Sequence, residues 1–534
     1  MTEGEINSVL EQYPEIKDRL CRVTEDLSRV SHERNEYKKL YELVLLELER
    51  TRRHLFGQKK EHVDPNQIQL AFEQLQKQIT PETDPEHTHV NGHNRRKRKV
   101  TPHGRNALPE NLPEERIILV PPELEGQDLE QYNKIGEEVS ETLEWRSASY
   151  VKVVVVRPKY VHKDAKGEGA QVLIADPLTK PIDKGLAGPG LLAKVAVDKY
   201  LDHLPLNRQS ARFERQGIHL ARSTLCNWVE SMHLLCVPVV DSMWEDALKS
   251  DYVAVDATGV LVQSKGKCRR SHFWVMISDN GHVLFRYTRK HNKVSVKELL
   301  GDYKGYIQAD AATVYDFLFT DKDCIEVGCW AHSRRRFFDS LSTDQQRALI
   351  ALGYIKQLFN IDRRTSNLPL KKRTRERAKR AGPILEKLFE WADQEYLLVL
   401  PESPIGKAIK YLTNQQQALS RFLEDGRIRL TNNFSEGELR REAVGRNNWI
   451  FVGSDDGGVW NTTFVSLLAS CQLFSIEPWS YMRDILCLLP LWPRNKVLLL
   501  APKYWNETLK DPETQKLLLA NPFRRISMPP TKHE

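Results

Sequence analysis

Apolar residues recur at alternating spacings of four and three along the start of the chain. Ile16, Val23, Val30, Tyr37 and Val44 fall at one seam position; Leu20, Leu27, Arg34, Tyr41 and Leu48 fall at the other. All but Arg34 are apolar or aromatic, which predicts a coiled coil about 50 Å long at ~1.5 Å rise per residue. Residues 1–56 are therefore expected to form a coiled-coil helix joining copies of the chain, or else a long amphipathic helix packed on its own chain. Residues 57–105, with Pro65, Pro81, Pro85 and Pro102, read as a linker. A small β-containing unit follows over 106–180, its clearest strand the valine-rich 150–160. From 181 to 245 the pattern turns helical, with helices expected at 191–200, 207–216 and 222–232. Gly217 ends the second, and Ser223 is a candidate cap for the third. Helix, glycine turn, helix is helix-turn-helix-like. It would present Arg222 to a DNA groove, although an ordinary helical hairpin has the same pattern.

The span 246–470 changes periodicity. Strands are expected at 252–262, 271–278 and 282–287, the last two joined by Asp279-Asn280-Gly281, a hairpin signal. A helix at 294–300, a strand at 305–310, a helix at 313–319, a strand at 324–330 and a helix from 331 complete the order β-β-β-α-β-α-β-α. Three hairpin-linked strands followed by crossovers imply a mixed sheet covered by helices, the order of ribonuclease H-like domains. A helical, basic insertion is expected at about 341–425, and 471–534 reads as a C-terminal tail. The fold class is thus multidomain α+β.

Charge adds a partner. Net charge is only +7 over 534 residues, but Arg95–Lys99 and Lys371–Arg380 form dense basic runs. Each is a phosphate-binding candidate or a solvated face. Eight cysteines are too sparse and irregular for a secreted disulfide framework. Cys324, Cys329 and His332 lack a fourth ligand and read as buried thiols beside a histidine. The N-terminus has no apolar signal region, and 485–501 is broken by prolines and charges, so no membrane span is expected; the reading is a soluble, cytoplasmic protein.

Chemistry enters with acids in apolar surroundings. Asp256 interrupts Val253-Ala254-Val255-Ala257, where a lone carboxylate is costly without compensation. Asp310 ends another strand of the same expected sheet. If those strands are neighbours, the two carboxylates converge and raise each other's pKa. Divalent cations such as magnesium or manganese remove that conflict, and two ions about 4 Å apart can activate a water or a 3′-hydroxyl. A third acid is expected on a helix after Asn432-Asn433, which are candidate caps. Glu436 and Glu438 both suit, and spacing does not separate them.

At these residues the chain resembles the insertion sequence 66 family of bacterial transposases. The likeness is carried by Leu55–Glu61, Gly185–Leu191, Lys199–Leu206, Gln308-Ala309-Asp310, Gly328–His332, and Asn432-Asn433 with Glu436, Arg440, Gly445–Trp449 and Phe451–Ser454. It implies a metal-dependent transposase that binds the ends of its element, cuts DNA and joins strands, with Asp256, Asp310 and Glu436 as catalytic and metal-holding acids. Magnesium or manganese would be the cofactor. Double-stranded DNA, further copies of the chain and accessory proteins of the same element would be the partners. His332, Arg335, Arg440 and Arg446 follow the catalytic strands and are candidate phosphate contacts, with structural ion pairs as the alternative. The chain departs from the family pattern in having no cysteine over 117–175, so no structural zinc is expected. It also carries Ala257, Thr431 and Gly437 where the family usually has other residues. A nuclease or resolvase, or a DNA-binding regulator without catalysis, are the competing functions.

Overall fold

The computed structural model describes residues 108–528 apart from 111, 147–148, 163–170, 265 and 321–322. The expected coiled coil, the linker, its basic run and Leu55–Glu61 lie outside the described residues.

The β unit is a four-stranded sheet: β1 (Glu114–Ile118), β2 (Tyr132–Arg146), β3 (Ser149–His162) and β4 (Leu173–Ile174). β3 is central, parallel to β1 and antiparallel to β2 and β4. Its alternate valines Val151, Val153 and Val155 are buried against Phe523, far along the chain. β2 escaped the sequence reading because most of its positions are solvated and polar.

Three helices follow: α1 (Pro189–Tyr200), α2 (Leu206–Arg215) and α3 (Arg222–Ala247). The third runs fifteen residues past the expected end. Its apolar stripe continues through Cys236, Val240 and Met243 to Ala247, and burial carries it through Pro238. Ala221, not Ser223, occupies its cap position.

The second sheet holds β5 (Tyr252–Ser264), β6 (Lys267–Ser278), β7 (Val283–Thr288), β8 (Gly305–Gln308) and β9 (Cys324–Val327), in the order β7-β6-β5-β8-β9. The hairpin pairs are antiparallel; β5–β8 and β8–β9 are parallel. Helix α4 (Lys293–Leu300) crosses between β7 and β8. The helix expected at 313–319 is a single 3₁₀ turn, Asp316–Phe319, anchored by buried Tyr315 edge-on to Trp274. α5 (Trp330–Asp339) follows β9.

β5 is buried on both faces, as its apolar run requires. Val253 and Val255 join the main core, while Tyr252 and Ala254 join a second core. That second core belongs to the insertion: α6 (Gln345–Thr365), α7 (Leu370–Tyr396), α8 (Pro404–Asn414) and α9 (Gln416–Ser420). The basic run on α7 is partly structural. Arg373 and Arg377 pair with Asp362, and Arg380 with Glu376.

After the insertion come α10 (Asn433–Trp449) and α11 (Asp455–Leu473). The segment expected as a tail is instead folded: α12 (Pro478–Leu488), α13 (Pro502–Thr508), α14 (Pro512–Ala520) and α15 (Pro522–Ser527). Tyr481, Met482, Ile485, Trp505 and Leu518 belong to the main core with α1 and α3. No helix among the described residues is long and apolar enough to cross a membrane.

Candidate active site

Sheet topology brings the two aspartates together. β5 and β8 are parallel neighbours whose register pairs Ala254 with Gln308. Asp256 stands two residues further along β5, and Asp310 two residues past Gln308, just beyond the end of β8, close enough for each to feel the other's charge.

The local sequence builds this edge. Gln308 is fully buried. It accepts from the Tyr252 hydroxyl at 2.6 Å and donates to the carbonyls of Gly328 and Arg429, both at 3.0 Å. One side chain thus ties β5, β8, the end of β9 and the chain returning from the insertion. Trp330 adds its backbone N–H to the Leu430 carbonyl at 3.1 Å and its indole N–H to Leu419 at 2.9 Å.

Asn432 completes the junction. It precedes α10, but its side chain does not cap that helix. Buried, it donates instead to the Val255 carbonyl at 3.2 Å, while its backbone N–H meets the Cys329 sulfur at 3.2 Å. Glu436 therefore starts α10 beside β5. Its carboxylate lies 3.4 Å from His332 Nε2. Glu438, the rival acid, pairs with Arg441 at 2.6 Å on the same helix.

The electrostatics record the convergence. Burial pushes the Asp256 carboxyl up to about 6, and the charges of Asp310 and Glu436 add to that. The Ala257 N–H, 2.7 Å from its oxygen, and His332 oppose the rise. His332 is held above its ordinary value by the Cys329 sulfur, then by Glu436 and Asp310. Among the described residues, no three His, Cys, Asp or Glu side chains already stand close enough to share a metal ion. The donor set nonetheless suits a hard divalent cation: three carboxylates, one with its ionisation suppressed by burial and, less, by the charges of the other two.

The candidate phosphate contacts separate. Arg335 and Arg440 line a groove with Glu436. Arg446 donates to the Gly259 carbonyl and fastens α10 to β5. Arg222 is exposed at the start of α3 and is not among the residues that line the groove with Glu436. Gln308 and Asn432, the two residues that set the geometry, were visible in the sequence only as neighbours of the acids.

Comparison with known proteins agrees with the motifs. The family profile described as "Transposase IS66 family" matches residues 184–459, and one described as "Transposase C of IS166 homeodomain" matches 45–117. The uncharacterized protein y4hP of Sinorhizobium fredii is 28% identical over 497 residues, covering 86% of this chain and 88% of its own length. The uncharacterized protein y4qI of the same organism is 29% identical over 391 residues, 70% of this chain and 71% of its own length. With residues 184–459 of its 534 inside the first profile, Asp256, Asp310 and Glu436 among them, the chain belongs to the IS66 family of transposases.

Proposed function

We propose that this chain cuts and rejoins DNA at the edge where Asp256, Asp310 and Glu436 meet. The observation that carries the reading is the placement of Asp256 on the central strand β5, with Asp310 just past the parallel neighbour β8 and Glu436 in the first turn of α10, acids 54 and 180 residues away in the chain. A fold that only needed stability would have an apolar residue there. The sheet order β7-β6-β5-β8-β9 supports it, being that of ribonuclease H-like domains.

Asp256, Asp310 and Glu436 would hold magnesium or manganese, whose ions lower the pKa of an attacking water or 3′-hydroxyl and offset charge at the leaving oxygen. The chain's own residues do the positioning. Gln308 and Asn432 fix the two strands and α10 against one another. His332 stands against Glu436 and orients it. Arg335 and Arg440, free of ion pairs with any described residue, hold the phosphodiester at the acids. The fixed backbone supplies rate by holding scissile phosphate and nucleophile in reactive proximity. Double-stranded element ends and target DNA are the substrates, and the heptad segment over 1–56 joins copies of the chain.

The test uses purified protein, labelled element-end DNA and manganese. Asp256→Asn and Asp310→Asn should abolish both cleavage and strand joining while DNA affinity stays within about twofold. Strand joining retained in either variant would refute the assignment. Cleavage without joining to a second DNA would make the protein a nuclease.

A further inference from the structure

The groove that Glu436 helps to line has a composition that catalysis alone does not require. Its volume is about 1200 Å³, and its walls are α5 and α10 of the sheet domain and α6 of the insertion. Arg334, Arg335, Lys356, Arg363 and Arg440 line it. All five are exposed, and none makes an ion pair with a described residue. Glu436 is the one acid among the lining residues. Such a concentration of one sign repels itself unless an anion joins it.

The same walls expose apolar surface. Phe338 is 47% and Leu349 53% exposed, with Leu352 beside them. On α6 the spacing Leu349, Leu352, Lys356, Arg363 puts apolar and basic side chains on one helical face. On α5, Arg334 and Phe338 are one turn apart.

We propose that this groove holds an unpaired stretch of a DNA strand, its phosphates on the cations and its bases against Phe338 and Leu349. Charge complementarity selects a polyanion. The interleaved apolar side chains select one with open, flat faces. Unpaired nucleotides offer both, because every base presents a face that can stack on an aromatic ring. A duplex offers its phosphates but keeps base faces inside the stack, so it would satisfy the cations and leave Phe338 and Leu349 wet. The inference rests on the proposed function for its direction: a strand lying here passes Glu436, the acid that the groove shares with the proposed site. It adds that the insertion contributes a substrate wall through Lys356 and Arg363.

The experiment measures fluorescence anisotropy of the full chain in EDTA, with a labelled 12-nucleotide single strand and the duplex of the same arbitrary sequence. Lys356→Glu with Arg363→Glu should weaken single-strand binding at least tenfold and duplex binding less than threefold. Phe338→Ala should weaken the single strand about fivefold and leave the duplex unchanged. A 2-aminopurine in the strand should be quenched by wild type and not by Phe338→Ala. Unchanged melting temperatures check that the variants fold, and the exposed Phe338 makes that variant the safer of the two. Equal losses on single strand and duplex would overturn the proposal, leaving only a general phosphate surface; so would unchanged single-strand binding. Asp256→Asn should bind the single strand as wild type does. If wild type fails to cut DNA but the variants show the selective loss, the catalytic reading fails and the groove stands. Cutting by wild type with no selective loss gives the reverse.

Discussion

Asn432 donates its side-chain N–H to the carbonyl of Val255, one residue before Asp256, at 3.2 Å. The bond crosses from the chain leaving the insertion to the central strand. It sets the distance between the helix that carries Glu436 and the strand that carries Asp256. Asn432→Ala would leave the buried Val255 carbonyl unmatched by that donor, at a cost of about 1–3 kcal/mol. We expect a melting temperature lower by several degrees and DNA cleavage reduced at least tenfold, with DNA affinity little changed. Cleavage at the wild-type rate would show that the bond holds the fold but not the site.

The sequence exposed the aspartates because each breaks a local rule. Asp256 stands in an apolar strand, and Asp310 follows a strand that parallels it. Glu436 and Glu438 could not be separated that way, since both suit the start of a helix. Only the fold sets one against His332 and the other against Arg441. The C-terminal helices were misread for a different reason. They are short and proline-started, with no sustained period, and their burial comes from distant partners such as Val151 and Val153 around Phe523. β2 hid because its polar alternation looks like a solvated loop, although Glu144 within it is wholly buried.

Removing divalent metal should expose the strain at Asp256. Its folded pKa, about 6, lies above the ordinary 3.8, so its contribution to stability is present below pH ~4 and lost as pH rises through 6. At pH 7.5 in EDTA, Asp256→Asn should be more stable than wild type, by on the order of 3 kcal/mol at ~1.4 kcal/mol per pKa unit. Manganese should raise the melting temperature of wild type and not of the variant. A variant that melts lower than wild type in EDTA would contradict this.

Arg377 anchors the insertion. Fully buried, it donates to the carbonyls of Phe422 at 3.2 Å and Ile428 at 2.8 Å and pairs with Asp362. Arg377→Ala would strand those two carbonyls and leave Asp362 with Arg373 alone, costing about 2–4 kcal/mol. Hydrogen exchange across 345–425 should rise sharply. Arg375→Ala, on the exposed face of the same helix, should stay within about 0.5 kcal/mol of wild type. Equal effects of the two would show that the α7 basic run is all surface.

Glu144 is wholly buried on a strand that is otherwise mostly solvated, and it accounts for two glycines of Gly185–Leu191, Gly188 and Gly190. One carboxylate oxygen accepts from the backbone N–H groups of Trp145 and Leu191, both at 2.7 Å, at the start of α1. A Cβ on Gly190 would come within 2.6 Å of that oxygen, and one on Gly188 would collide with the other oxygen. The glycines are there because a buried carboxyl fills the space in front of the helix. Burial pushes that carboxyl up to about 8, against the backbone donors and the Arg483 charge. The folded pKa is above the unfolded 4.5, so stability is fully present below pH 4.5 and declines as pH rises toward 8. Glu144→Gln keeps an acceptor for both N–H groups and removes the ionisation. It should match wild type at pH 4.5 and exceed it above pH 8 by on the order of 3–5 kcal/mol at ~1.4 kcal/mol per pKa unit. Gly188→Ala alone should destabilise severely, and Glu144→Ala with Gly188→Ala should recover part of the loss, because the added methyl then occupies the vacated volume. Melting curves at pH 5 and pH 8.5 decide both points. A wild type and Glu144→Gln that stay parallel across that range would mean that the carboxyl ionises freely inside the fold.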